Sequence, residues 1–186
     1  MIVGVGALGS HVVMALRNVP FKLVVCDHDH VEQKNTLAQF HSNMSLRRNK
    51  AQAMQQALQG LWGVKVECVP HKLTDDNAKQ LLGGARLVLD CTDNLAARAC
   101  MMKFCQVNDI PLLHGAMSAD GTFARAIWTD WFKPDAESGD GATCEDGENL
   151  PFHLLAGSVL AMAAKTFLVK GVKVNFDITP SGVVRF

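Results

Sequence analysis

The stretch VGVGALGS, residues 3–10, decides the fold of this chain. It follows a short apolar run and opens a helical pattern with an apolar face at 10–18. Its glycines Gly4, Gly6 and Gly9 have GxGxxG spacing, in which the first allows a tight turn, the second lets the backbone approach a phosphate, and the third lets helix and strand pack closely. We therefore predict a nucleotide-binding strand–turn–helix unit, with a plain tight turn as the alternative.

Strand and helix patterns alternate along the rest of the chain. Strands are predicted at 22–26, 64–69, 86–90, 112–116 and 122–128, helices at 44–61, 74–82, 95–107 and 151–170, and a closing hairpin at 173–178 and 183–186. Such alternation is typical of a parallel sheet with helices on both faces. We predict an α/β fold, a Rossmann-like, doubly wound, mainly parallel sheet with antiparallel C-terminal strands. It would form one domain over 1–186, with a polar crossover-type loop at about 129–149.

The composition is that of a globular protein and excludes some classes of function. The 186 residues include 18 Lys+Arg and 18 Asp+Glu, so the formal net charge is zero, without the basic signature of a nucleic-acid-binding protein. Gly157, Ser158 and Lys165 interrupt the longest apolar run, so we expect no membrane segment. No secretory signal pattern is present, which predicts a cytoplasmic protein. The six cysteines form no CxxC pair, and no structural zinc is expected.

Acidic and amide side chains follow the predicted strands next to the glycine turn. Asp27 ends the second strand at about the spacing where an acidic residue accepts hydrogen bonds from a ribose. Asp90, Asp93 and Asn94 end the fourth strand in the run LDCTDN. Ligands bind at the carboxyl ends of strands in such sheets, so we expect these side chains to share one crevice. A carboxylate beside phosphates indicates Mg²⁺, and a lysine there, Lys50, suits nucleotidyl transfer because it offsets charge on leaving pyrophosphate.

These motifs together resemble the ThiF/MoeB/HesA family of E1-like enzymes over nearly the whole chain. The resemblance rests on VGVGALGS, on DHDHVEQKN followed by Gln39, on Lys50, on LDCTDN with Arg98, on IPLLHGAMSADG, and on LLAGSVLAMAAKTFL. Such enzymes bind ATP and Mg²⁺ and adenylate the C-terminal carboxylate of a small ubiquitin-like (β-grasp) sulfur-carrier protein. The resemblance therefore implies an adenylyltransferase that feeds sulfur transfer for thiamine- or molybdopterin-type cofactor synthesis. It also implies a homodimer, with neither nucleic acid nor membrane as a partner.

The resemblance assigns roles to residues by their position in the motifs. The implied nucleotide-binding set is Gly4, Gly6, Gly9, Asp27, Asp29, Asn35, Gln39, Lys50, Asp93 and Asn94. Within it, Lys50 would act on the phosphates in catalysis, and Asp93 would hold Mg²⁺ through ATP. Cys144 lies near the position of a catalytic thiol in some members, although its acidic neighbours are of the kind that raise a thiol pKa. A catalytic and a non-catalytic Cys144 both stay open at this point.

One departure from the family pattern supports a second hypothesis. The family has an arginine just before Gln39, whereas this chain has Ala38. Arg47, Arg48 and Arg98 are the candidates to replace its charge. Without that charge, the chain would be a degenerate nucleotide-binding scaffold or partner subunit. A third hypothesis, a dinucleotide-dependent oxidoreductase, has only the glycine motif and an acidic residue behind it.

Three histidines have simpler interpretations than a catalytic or metal-binding role. His28 and His30 flank Asp29, where a metal site is the less favoured interpretation and a position beside the nucleotide or in solvent the favoured one. His114 follows a buried strand, and we interpret it as a core histidine with satisfied hydrogen bonds rather than a general base.

Overall fold

The computed structural model describes residues 1–118, 120–132 and 147–186, except for the side chain of Trp131. Within these residues the chain forms a sheet of eight strands in the order β3-β2-β1-β4-β5-β6-β7-β8. The strands are β1 (Ile2–Val3), β2 (Val24–Cys26), β3 (Glu67–Val69), β4 (Val88–Asp90), β5 (Leu112–Met117), β6 (Ala124–Trp128), β7 (Phe176–Thr179) and β8 (Gly182–Arg185). Strands β1 to β5 pair in parallel, and β6 to β8 continue the sheet in antiparallel pairs. The predicted fold class is confirmed.

Helices cover both faces of the parallel part of the sheet. In the described ranges they are α1 (Gly9–Ala15), α2 (Asn35–Ala38), α3 (Lys50–Trp62), α4 (Ala78–Leu82), α5 (Leu95–Val107) and α6 (Leu150–Lys170). Successive strand residues point to opposite faces, so Leu89 and Leu113 join one apolar core while Val88 and Leu112 join the other. The first core lies under α1, α3 and α6, and the second lies under α4 and α5.

Two predicted helix starts are wrong. The helix predicted at 44–61 begins at Lys50, because the Asn49 side chain accepts the Gln52 amide at 3.1 Å as an N-cap and Arg47 has a left-handed φ of 66°. The helix predicted at 74–82 begins at Ala78, because the Asn77 side chain accepts the Thr74 amide at 2.9 Å and closes a turn before it. In both cases an asparagine side chain competes with helical hydrogen bonding.

Helix α6 is 21 residues long and runs without a break through Gly157, Ser158 and Lys165. By length and composition alone it is apolar enough to cross a membrane, but core helices pass the same test. Half of the most apolar 18-residue stretch of α6 is buried in this structure, where the helix packs against α1 and the sheet. Gly157 allows this close approach, since a Cβ there would lie 2.8 Å from the His11 Cβ.

The chain order places a crevice at the carboxyl end of β1. From β1 the chain proceeds to β2 and β3 on one side and then returns to β4 on the other side of β1. Helices that follow β1 and β4 therefore leave the sheet on opposite faces, as in other open α/β sheets that bind ligands at this position. The predicted polar loop at 129–149 begins with a short 3-10 turn at Thr129–Trp131, and most of it lies outside the described residues.

Candidate nucleotide-binding site

The glycine turn after β1 has two glycines packed against backbone and one facing open space. Gly4 has a φ of 86°, and a Cβ on it would lie 2.7 Å from the Cys91 carbonyl oxygen. A Cβ on Gly9 would lie 1.9 Å from the Gly4 carbonyl oxygen. A Cβ on Gly6 would meet only the Gln39 side-chain nitrogen, at 3.9 Å. Gly4 and Gly9 are thus required by packing, whereas Gly6 leaves the backbone accessible to a ligand.

Asp27 holds this turn from the end of β2. Its carboxylate accepts the Val5 amide at 2.8 Å and the Asp29 amide at 2.9 Å, one on each oxygen. Burial raises the pKa of Asp27, while these two amides and the charge of Lys50 act in the opposite direction. The predicted ribose ligand therefore also fixes the shape of the glycine turn, and each oxygen keeps a lone pair for a ribose hydroxyl.

Lys50 reaches the same place from the first turn of α3. Its main-chain amide donates to the Asp29 carbonyl at 2.8 Å, and its ammonium lies 3.2 Å from the Asp29 carboxylate. Asn49 fixes this arrangement by donating to the carbonyl oxygens of Asp27 at 2.8 Å and Asp29 at 3.1 Å. Lys50 is thereby brought beside Asp27 and Asp29. The sequence analysis missed Asn49, although an asparagine directly before a helix is an N-cap signal that would have found it.

Asn35 and Gln39 lie at the two ends of α2 and have different local roles. The Asn35 side chain is buried and accepts the Glu32 amide at 2.9 Å, so it closes the turn before α2. The Gln39 side chain lies beside Gly6, and its Oε1 is buried without a hydrogen-bond partner in the described structure. Gln39 is therefore the better placed of the two to contact a ligand at the open face of the turn.

Asp93 and Asn94 follow β4, and Asp93 has no partner among the described residues. Asp93 is exposed. The Asn94 side chain accepts the Ala97 amide at 2.9 Å as the N-cap of α5, which is a structural role. Asp90, expected in the same crevice, is instead fully buried and bound to Arg98 and His114 at 2.7 and 2.8 Å. Only Asp93 of this group is free to hold a metal ion.

Ala38 stands at the position of the family arginine and carries no charge. Ala38 is fully buried, and its carbonyl oxygen accepts a hydrogen bond from the His11 Nε2 at 3.0 Å. Arg98 is engaged by Asp90, and Arg48 donates to the Gln56 side chain. Arg47 is exposed, and its side chain makes no hydrogen bond or ion pair with the described residues. Of the three candidates, Arg47 is the one without a side-chain hydrogen bond or ion pair in the described part of the chain.

Two buried histidines support the turn, and the sequence analysis gave them no role. His41 donates through Nε2 to the Val5 carbonyl oxygen at 3.0 Å, as His11 does to Ala38. Burial, first of all, lowers the pKa of His41 to about 4, and the charge of Lys50 adds to the effect. Burial also lowers the pKa of His11. Both imidazoles are neutral donors at neutral pH, and no sequence pattern distinguishes them from surface histidines.

Two cysteines and the cluster around His28 complete the description of the site. Cys144 lies outside the described residues. Cys91 lies behind the glycine turn, where burial strongly raises its thiol pKa, so it is not a reactive thiolate. In the described part of the chain, the ligand atoms of Asp27, His28 and Asp29 lie within 4.8 Å of one another. Both carboxylates already have protein partners, the Val5 and Asp29 amides for Asp27 and the Lys50 ammonium for Asp29, which favours the simpler interpretation of His28.

The residues at this edge of the sheet fit a nucleoside triphosphate. The turn offers an accessible backbone at Gly6 and an unpaired buried oxygen on Gln39, with the Lys50 ammonium close to Asp27 and Asp29. Asp93 is exposed and carries a carboxylate, the kind of group through which proteins bind Mg²⁺ on phosphates. Two surface hollows of about 720 and 700 Å³ lie at the opposite edge of the sheet, near Lys22 and Glu67, and contain none of these residues.

Comparison with known proteins shows the family of the chain. The model of the ThiF family matches residues 1–151. The chain belongs to the ThiF family. The SAMP-activating enzyme E1 of Haloferax volcanii is 32% identical over 120 residues, 63% of this chain and 44% of that protein. The molybdopterin-synthase adenylyltransferase of Salmonella typhimurium is 31% identical over 119 residues, 62% of this chain and 48% of that protein.

A third relative and two solved structures complete the comparison. The sulfur carrier protein ThiS adenylyltransferase of Escherichia coli is 28% identical over 134 residues, 70% of this chain and 53% of that protein. The E. coli tRNA N6-threonylcarbamoyladenosine dehydratase TcdA, solved with ATP, superposes with a TM-score of 0.60 at 26% identity, over 67% of this chain and 54% of TcdA. E. coli MccB with ATP shares the fold, with a TM-score of 0.78 at 15% identity, over 100% of this chain and 62% of MccB. This ThiF-family chain spans about half the length of the three curated relatives.

Proposed function

We propose that this ThiF-family chain uses ATP and Mg²⁺ to adenylate the C-terminal carboxylate of a small ubiquitin-like sulfur-carrier protein. The observation that carries the proposal is the placement of Lys50 beside Asp27 and Asp29, next to the open Gly6 turn. Three curated relatives named for adenylation or activation of carrier proteins support the reaction type. The TcdA structure with ATP supports ATP as the nucleotide.

The reaction needs positioning and charge stabilisation rather than a general base. A carboxylate at the end of a polypeptide is ionised at neutral pH and is already nucleophilic. One of its oxygens bonds to the α-phosphorus of ATP, the bond from that phosphorus to the β-phosphate oxygen breaks, and pyrophosphate leaves. Lys50 would offset the charge that develops on the phosphates, and Asp93 would hold Mg²⁺, which supplies further charge neutralisation.

The pathway served by the reaction is also part of the proposal. The names of the relatives include a ThiS adenylyltransferase and a molybdopterin-synthase adenylyltransferase, so we propose sulfur transfer for thiamine- or molybdopterin-type cofactor synthesis. The proposed partner is accordingly a β-grasp carrier with a free Gly-Gly end. A homodimer and a cytoplasmic location stay predictions from the sequence.

ATP–pyrophosphate exchange tests the reaction directly. The purified chain is mixed with ATP, Mg²⁺, labelled pyrophosphate and either a thiamine-type or a molybdopterin-type carrier. We expect exchange with one of the two and none with the same carrier lacking its last glycine. Exchange that is absent with both carriers, or that persists without the terminal glycine, would reject the proposal.

The buried Ala38 favours a second candidate, a nucleotide-binding subunit without adenylation activity. Ala38 itself carries no charge, and two of the three candidate arginines are already engaged by other described residues. Loss of one cation at a triphosphate costs on the order of 2–4 kcal/mol of transition-state stabilisation. This candidate predicts ATP binding by calorimetry with no exchange, and exchange that returns in Ala38→Arg. Thermal unfolding of Ala38→Arg checks that the larger side chain is accommodated, and Ala38→Ser is the matched control.

A further inference from the structure

A polar network is buried on the α5 side of the sheet, behind the candidate site. Asp90 at the end of β4 and His114 in β5 lie opposite each other in the parallel register, and both side chains are fully buried. The Asp90 carboxylate lies 2.8 Å from His114 Nδ1 and 2.7 Å from Arg98 Nε. Although burial opposes it, the hydrogen bond from His114 and the charge of Arg98 hold the pKa of Asp90 below its usual value.

Hydrogen-bond counting assigns the protons of this network. The ionised Asp90 carboxylate can only accept, so His114 Nδ1 carries a hydrogen. The Leu112 carbonyl oxygen can also only accept, so the Thr129 hydroxyl donates to it at 3.0 Å. His114 Nε2 lies 3.1 Å from the same Thr129 oxygen. Both ring nitrogens of His114 therefore have a hydrogen-bonding partner, and Phe132 is stacked on the ring at 4.1 Å.

The same carboxylate shapes the turn that carries Asp93. The second oxygen of Asp90 accepts the Thr92 amide at 2.9 Å and the Thr92 hydroxyl at 2.7 Å. Arg98 closes the loop by donating to the Thr92 carbonyl oxygen at 2.7 Å. This turn also touches the glycine turn, since a Cβ on Gly4 would lie 3.1 Å from the Thr92 amide nitrogen. A change at Asp90 is thus passed on to both sides of the crevice.

We propose that His114 is a positioning residue, which acts through Asp90 and Thr92 to hold the Asp93 carboxylate where Mg²⁺ on ATP is bound. The inference rests on the proposed function. His114 does not touch the crevice itself. His114 binds one oxygen of the buried Asp90 carboxylate, and the other oxygen of that carboxylate binds the Thr92 amide and fixes the turn. Partners that hydrogen-bond a metal ligand directly commonly change metal affinity by about 10–100-fold when replaced, and His114 lies further away, behind Asp90 and Thr92, so its effect should be smaller.

Three variants separate the branches of the network. His114→Leu removes both hydrogen bonds of the ring, whereas the amide of His114→Asn can still donate to Asp90 from the position of Nδ1. Thr129→Val removes only the Thr129 branch. Ile178→Val, in the apolar core under α6, is a control for lost stability without a change in the network. The readouts are the Mg²⁺ concentration for half-maximal ATP binding by calorimetry and the exchange of the Thr92 amide hydrogen in the absence of ATP.

The expected pattern differs from that of a merely structural residue. His114→Leu should raise the half-maximal Mg²⁺ concentration by about three- to tenfold, below the effect of losing a direct partner of a metal ligand, and His114→Asn by less than about twofold. Thr129→Val and Ile178→Val should leave it unchanged, and Thr92 amide exchange should accelerate in His114→Leu alone. An unchanged Thr92 amide in His114→Leu, or equal effects of Leu and Asn, would overturn the inference. Failure of the proposed function alone would show instead as no ATP binding by the wild type, with the exchange pattern intact.

Discussion

The Lys50 ammonium lies 3.2 Å from the Asp29 carboxylate, and the Lys50 main-chain amide donates to the Asp29 carbonyl oxygen at 2.8 Å. Lys50 thus contacts Asp29, which lies 21 positions earlier in the sequence, through both its main chain and its side chain. The pair brings the first turn of α3 to the carboxyl end of β2, next to the glycine turn. A lysine fixed in this way can meet a phosphate without losing much conformational freedom, because its side chain is already ordered.

Replacing Lys50 should weaken ATP binding more than it weakens the fold. Hydrogen bonds to charged groups contribute about 1.5–3 kcal/mol, so Lys50→Ala should lower ATP affinity by roughly 10–100-fold in calorimetry. Lys103→Ala is the control, because Lys103 also pairs with an aspartate, Asp75, at 3.3 Å. Lys103 lies on α5, and its side chain is exposed. Equal ATP affinities for the two variants would remove Lys50 from the site.

Asn49 and Asn94 are a natural pair for testing how the site is held. Each accepts an amide as a helix N-cap, but Asn49 also donates to the carbonyl oxygens of Asp27 and Asp29. Asn94→Ala should cost about 1 kcal/mol of unfolding free energy, the usual value for a lost cap. Asn49→Ala should cost about 2–3 kcal/mol, since it leaves buried carbonyl groups without a donor. Urea denaturation measures both, and similar losses would contradict the role given to Asn49.

Two glycines of the turn and one glycine of α3 should respond differently to alanine. Gly9→Ala places a methyl group 1.9 Å from the Gly4 carbonyl oxygen and should cost more than about 3 kcal/mol of stability. Gly6→Ala meets no atom closer than 3.9 Å, so it should fold normally but bind ATP about tenfold more weakly, which is about 1.4 kcal/mol. Gly60→Ala, inside α3 with open space around it, should stabilise the chain by about 0.5–1 kcal/mol. Thermal unfolding and calorimetry on all three check this order, and full ATP affinity in a folded Gly6→Ala would refute the open-face assignment.

Acid should destabilise the fold through His41. Its pKa is about 4 in the folded chain and 6.5 in the reference state, so the unfolded chain takes up the proton first. The stability that neutral His41 contributes is complete above pH 6.5 and is lost as the pH falls from 6.5 to about 4, by up to about 3 kcal/mol. His41→Gln keeps a donor for Val5 but has no such proton, so its stability should fall less across this range. Exposed His71→Gln is the control, and parallel pH curves for the wild type and His41→Gln would contradict the prediction.

The sequence predicted the sheet well because strand and helix periods are local signals. Helix α5 is predicted at 95–107 and observed there, where the Asn94 side chain caps its first turn. The start of α3 was misplaced by six residues, because the residues before Asn49 have helical composition but are held by contacts to the loop after β2. Composition cannot register such non-local hydrogen bonds.

Asp27 and Lys50 lie close to the glycine turn, but several contacts of the predicted site residues were not foreseen. The motifs point to Asp27 and Lys50 because these residue types have a direct use at phosphates or ribose. They do not show that Asp27 binds the turn, or that Asp90 lies behind the crevice with His114. Those contacts depend on which face of a strand a side chain occupies and on what packs there, which the fold alone decides.

The central claim is that the carboxyl edge between β1 and β4 binds ATP with Mg²⁺. Calorimetric titration of the wild type and Asp93→Asn with ATP, each with and without Mg²⁺, tests it most directly, with NADH as the competing ligand. We predict that Mg²⁺ strengthens ATP binding by the wild type at least about tenfold, that Asp93→Asn loses this enhancement, and that NADH does not bind. Binding of NADH in place of ATP, or the same Mg²⁺ enhancement in Asp93→Asn, would contradict the account.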